Sequence, residues 1–145
     1  MDQPHTLNVD RTELYRTAIE FECVATRIIE TLPRRHRDTV ELLRRNARVM
    51  VEQLGRKPAG RAALAPALKR ALFAAETCSE QLDRLHMIRL GGFASVTTGL
   101  ELLERLCAGM IGLLEDGNES AGPAGPEEDG RQQDDAEQDG GNPTL

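Results

Sequence analysis

Four segments of this chain repeat an apolar residue every three or four positions, and that spacing limits the available folds more than any other feature. The first reads Leu14, Ala18, Phe21, Ala25, Ile28, Leu32, and the second Val40, Leu43, Ala47, Met50, Leu54. The third reads Leu68, Ala71, Ala75, Cys78, Leu82, Leu85, and the fourth Phe93, Val96, Leu100, Leu103, Cys107, Met110, Leu114. Such a period lines each set along one stripe of an α-helix. The breaks between stripes agree. Asp10 with Glu13 has the spacing of a capping box, the second stripe stops at Gly55, and Gly91-Gly92 follow the third. Pro66 lies near the expected first turn of the third helix. The fourth helix begins at Phe93, or later if Thr98 and Glu101 form its capping box.

The connections LPRRHR, GRKPAGRAALA and IRLGG are short, so consecutive helices should be neighbours. The expected fold is all-α, an antiparallel up-down four-helix bundle over residues 10–115, after a flexible N-terminus at 1–9. Residues 116–145 read as a disordered acidic tail, since Gly, Pro, Asp, Glu and Gln cannot bury enough apolar surface to offset chain entropy. Composition agrees: aromatics are 3% of the chain, too few for an ordinary β-sandwich. No apolar run reaches the roughly 20 residues of a membrane span. The first residues, MDQPHTLNVD, lack a signal peptide's basic and apolar regions. Cys23, Cys78 and Cys107 form no CxxC pair, which argues against a zinc site or disulfide framework and for a reducing cytoplasm.

Catalytic patterns are absent: the sequence has no GxSxG, HExxH or P-loop. A di-metal bundle needs paired ExxH motifs, and the nearest arrangement, Asp83-x-x-His86, occurs once, the other histidines being His5 and His36. Cys78 and Cys107 fall on stripe positions, where cysteine fills a core as a small hydrophobe. The reading is therefore a non-enzymatic chain without cofactor or metal. Apolar residues beside the stripes, Leu72, Phe73, Met87, Leu102, Leu106, Ile111 and Leu113, exceed what one bundle core uses and point to a homo-oligomer.

The arginines are the better candidates. The net charge of −6 conceals a division: residues 116–145 hold nine acids and one arginine, −8, which leaves 17 bases and 15 acids, +2, in residues 1–115. A basic set runs Arg34, Arg35, Arg37, Arg44, Arg45, Arg48, and a second set, Arg56, Lys57 and Arg61, falls in the expected loop after helix two. Arg37, Arg44 and Arg48 share a helix face, the footprint expected for phosphate contacts of RNA or DNA. Glu41 can neutralise part of this by pairing with Arg37 or Arg45 at i±4, and Glu52 with Arg48 or Arg56. Few aromatics interleave, so base stacking is not expected. The alternative is a protein–protein scaffold with no nucleic-acid role, its arginines merely solvated and its tail serving a protein partner. A bundle enclosing a metal or small ligand would have only Asp83, His86 and the cysteines to hold it.

The stretch LPRRHRDTVELLRR followed by NARVMVEQLGR resembles a small four-helix-bundle family. It includes the ribosomal-RNA intervening-sequence proteins and the accessory variability determinant (Avd) of diversity-generating retroelements. Leu32, Pro33, Arg37, Leu43, Arg44, Arg45 and Ala47 carry the likeness, and Ala74, Thr77, Glu80 and Leu85 in AAETCSEQLDRL extend it. The resemblance implies a non-enzymatic adaptor that assembles into a ring, often pentameric. In the Avd-like branch it also implies contact with nucleic acid and a reverse transcriptase.

Overall fold

The carboxylate of Asp10 accepts the backbone N–H of Glu13 at 2.9 Å and so caps the first helix. The computed structural model describes residues 10–56 and 61–121. Helix α1 spans Arg11–Glu30, a single 3-10 turn spans Arg34–His36, and α2 spans Arg37–Gly55. Helix α3 spans Arg61–Ile88 and α4 spans Phe93–Ala121. Among the described residues there is no strand.

Cross-helix contacts give the helix directions. Arg11 on α1 reaches the Leu54 carbonyl at the end of α2, while Glu22, three turns further on, meets Arg48 at 3.1 Å, so α1 and α2 run antiparallel. Arg70 near the start of α3 bonds Gln53 near the end of α2 at 3.2 Å. A Cβ at Gly99 would lie 2.8 Å from Leu82, and one at Gly91 3.5 Å from Leu85, which fixes α3 against α4. A Cβ at Gly109 would meet Leu14, one at Gly99 would meet Phe21, and one at Gly91 would meet Ile28, so α4 also runs antiparallel to α1. The four helices form an antiparallel up-down four-helix bundle, as the stripes predict.

The stripes of α1 and α3 are buried as expected, apart from Leu32, which lies beyond the end of α1 and is half-buried. On α2, Thr39 is buried and Val40 is only half-buried, so the seam begins one residue earlier than expected. The largest departure is on α4. Its buried line runs Val96, Gly99, Leu103, Leu106, Met110, with Leu102 beside it; Leu100, Cys107 and Leu114 are half-buried, and Phe93 is 74% exposed. Glycine at position 99 explains the change, because its missing side chain is the space that Leu82 and Phe21 occupy. Gly109 leaves room for Leu14 in the same way.

Two boundaries also differ, and the start of the fourth helix falls at the first of its two expected places. Helix α3 starts at Arg61, inside the segment expected to be a loop, and carries Pro66 within it. Alanines at 62, 63, 65 and 67 favour helix strongly enough to extend it ahead of the proline. Helix α4 begins at Phe93, with the Val96 N–H bonded to the Gly92 carbonyl at 2.9 Å, so Thr98 does not cap it. Its last turns run on to Ala121, past the boundary expected at Glu115. The flexible N-terminus expected at 1–9 and the tail beyond 121 lie outside the described residues.

Candidate functional site

Pro33, at φ −66° and ψ 159°, ends the extended step out of α1 and leads into the 3-10 turn, closed by the His36 N–H on the Pro33 carbonyl at 3.0 Å. This short, tightly wound connection holds Arg34, Arg35 and Arg37 within one turn, all exposed, with His36 half-buried between them. No side chain caps the start of α2. Among the described residues none of these arginines has an ion pair, and neither does the exposed Arg45.

Arg44 and Arg48 differ. Arg44 pairs with Glu41 at 3.4 Å one turn back, and Arg48 crosses to Glu22 of α1 at 3.1 Å. The expected i±4 pairs of Glu41 and Glu52 do not form among the described residues. Glu41 is engaged instead by Arg44 at i,i+3, and Arg48 by Glu22 of α1. The Arg44 pair is exposed on both sides and holds little energy, on the order of 0–1 kcal/mol. It still removes net charge from the face that the sequence singles out.

The second basic set is not contiguous with the first. Arg56 is exposed at the far end of α2, about 28 Å from Arg37 by helical rise. Its backbone carbonyl, with that of Leu54, accepts Arg11 Nη2 from α1. Arg11 therefore satisfies carbonyls left open at the end of α2, a role with no local sequence signal. Lys57 lies outside the described residues, and Arg61 opens α3 rather than standing in a loop. Of the nine candidate residues, the structure brings Arg34, Arg35 and Arg37 together at one end, spaces Arg44, Arg45 and Arg48 along α2, and sets Arg56 and Arg61 at the opposite end.

Sequence reasoning missed what shares the first end. An up-down topology places the α3–α4 turn at the same end as the α1–α2 connection, and the packing of Gly91 near Ile28 agrees. That turn carries exposed Arg84, His86, Met87, Ile88, Arg89 and Phe93. The sequence signal was Gly91-Gly92, which marks a turn but not what surrounds it.

Cys78 lies in the core, Cys107 is half-buried and Cys23 is exposed. Burial, with Cys107 adding to it, pushes the Cys78 thiol up to about 12. Burial, and secondarily Glu76, raises that of Cys107. A raised folded value means the unfolded chain gives up the Cys78 proton first. The stabilising contribution is thus complete below the ordinary value of 9.0 and is lost as pH rises from there toward 12. The expected outcome is that Ellman's reagent titrates the exposed Cys23 at once in native protein, and Cys78 only on unfolding. Rapid native labelling of Cys78 would mean that α3 and α4 are not packed as described.

Compared with known proteins, the chain matches no family model, no curated protein and no solved structure.

Proposed function

We propose that this chain is a non-enzymatic four-helix-bundle adaptor that contacts the phosphate backbone of nucleic acid, or an enzyme bound to it, through its arginine surface. The observation that carries the reading is the set Arg34, Arg35 and Arg37, exposed within one turn and free of ion pairs among the described residues. A guanidinium presents paired donors that match phosphate oxygens, and such contacts position a backbone without reading sequence. Arg45 extends this surface along α2, and Arg44 and Arg48 join it to the extent that phosphate displaces Glu41 and Glu22. Self-association, which the resemblance also implies, would multiply a modest patch by avidity, and a reverse transcriptase is the partner enzyme it suggests.

A second reading, a protein scaffold with solvated arginines, draws support from the Arg44–Glu41 and Arg48–Glu22 pairs. One experiment separates them. Full-length protein and a chain ending at Ala121 are titrated by anisotropy into labelled duplex DNA and RNA, with light scattering to count subunits. Three phosphate contacts per subunit give a drop in affinity of about 40-fold between 50 and 200 mM salt. Removing residues 122–145 deletes seven acids and one arginine, −6, so the shorter chain should bind more tightly at low salt. No binding of either nucleic acid at low salt overturns the proposal in favour of the scaffold.

A further inference from the structure

The last turn of α3 ends on an unusual residue. Arg89 has φ 60°, the left-handed conformation that favours glycine, and it stands where the helix closes with the Leu90 N–H on the Leu85 carbonyl at 2.9 Å. The two glycines follow too late to relieve it, at φ 90° and 85°. An arginine is thus held in a strained backbone beside three large apolar side chains that the bundle does not bury: Met87 is 80% exposed, Ile88 47% and Phe93 74%. Two of the three share one groove. Met87 and Phe93 flank a groove floored by Leu90 and Val96, with Arg89 and His86 on its rim.

We infer that this groove at the α3–α4 end docks a short acidic segment of a partner protein that inserts a bulky apolar side chain between Met87 and Phe93. The charge decides the partner's sign. At this end of the bundle the exposed ionised groups are Arg27, Arg34, Arg35, Arg37, Arg84 and Arg89 against Glu30, Asp38, Glu41 and Asp83, six against four. A second copy joined end to end would set these arginines against their own counterparts, so like charge disfavours it. Side-chain chemistry decides against a nucleobase. The Phe93 ring is already engaged by His86, with centroids 5.6 Å apart at 37°, and the remaining wall is Met87, an adaptable thioether suited to aliphatic and aromatic side chains. The apolar contacts of this groove rest on α3 and α4 residues, while the arginines of the α1–α2 connection act on it only through the field that sets the partner's sign.

The test uses full-length protein and a fluorescein-labelled peptide, Asp-Glu-Asp-Phe-Glu-Leu-Glu, read by anisotropy. Two controls replace its Phe and Leu with alanine, or its acids with lysine. The acidic apolar peptide should bind, and both controls should bind at least about tenfold more weakly. Met87→Ala and Phe93→Ala should each weaken binding about tenfold without loss of helicity, since both side chains are exposed. Arg89→Gly carries the sharper signature: it should weaken the peptide severalfold while raising Tm, because glycine accepts the left-handed conformation without strain. Failure of the acidic peptide to bind, or binding untouched by these three substitutions, overturns the inference. So does displacement of the peptide by unlabelled oligo(dT) with the same variant dependence, which would assign the groove to nucleic acid.

Discussion

Replacing Phe21 with alanine lowers the stability of the bundle by about 3–5 kcal/mol. Phe21 is fully buried and is the one buried aromatic among the described residues. Seven of the other 23 buried apolar residues are alanine, at positions 18, 25, 47, 67, 71, 74 and 75. Alanine-rich helices approach closely but bury little area per residue, so a single large side chain carries an unusual share of the apolar burial. Its ring fills the notch left by Gly99, where an added Cβ would already lie 3.5 Å from it and 2.8 Å from Leu82. Deleting the ring leaves a cavity beside Gly99 and Leu82 that packed helices close only in part. A domain of this size has a total stability of about 5–15 kcal/mol, so the loss approaches the whole. Urea unfolding followed by circular dichroism measures it. A loss below about 1 kcal/mol would mean that α1 and α4 do not meet at Gly99.

The second large effect concerns charge rather than packing. Reversing Arg34, Arg35 and Arg37 together to glutamate lowers affinity for duplex DNA or RNA at low salt by at least about 100-fold. Three phosphate contacts are removed and three repulsions take their place. The fold should tolerate it, since all three side chains are exposed and none makes an ion pair among the described residues. Glutamate at the start of α2 even suits the helix dipole. Reversing Arg44 and Arg48 instead should weaken binding less, because in the free protein those guanidinium groups already serve Glu41 and Glu22. It should also cost some stability at the α1–α2 contact, where Glu22 would lose its partner and face a like charge. Equal losses from the two variants would return the whole length of α2 to the interface.

The fold was legible because each helix advertises its buried face at the helical period, and because glycines mark the ends. Two places where that logic failed have a common cause. Phe93 continues the spacing of α4, yet it sits on the first turn at the end of the bundle, where no neighbouring helix extends to cover it. Gly99 interrupts the apolar pattern, yet it lies in the seam, because a core formed by close helix approach uses the absence of a side chain as readily as its presence. Periodicity records which residues are apolar, not how far the partner helix reaches. The start of α3 was obscured by Pro66, which reads as a first-turn residue yet stands sixth in the helix, where it forgoes one backbone hydrogen bond.

Less of the candidate site could be read. Arginine content along α2 is plain in the sequence, but neutralisation depends on which acid stands opposite. The Glu22–Arg48 pair joins residues of different helices and leaves no local pattern. Likewise, Arg11 as a cap on α2 follows only from the antiparallel pairing of α1 with α2. The strain at Arg89 was hidden because Gly91 and Gly92 look like the helix stop. In the structure Gly91 instead serves close packing, where a Cβ would crowd Val96 and Ile28 at 3.0 and 3.1 Å. The left-handed step falls two residues earlier, on an arginine.

The most direct measurement is the salt dependence of duplex binding for native protein beside the Arg34→Glu, Arg35→Glu, Arg37→Glu variant. Losing three phosphate contacts per subunit predicts a slope of log K against log salt about 2.7 shallower in the variant than in the native protein. Equal slopes for the two proteins would contradict the account, because whatever cations hold the phosphates would then lie elsewhere on the chain.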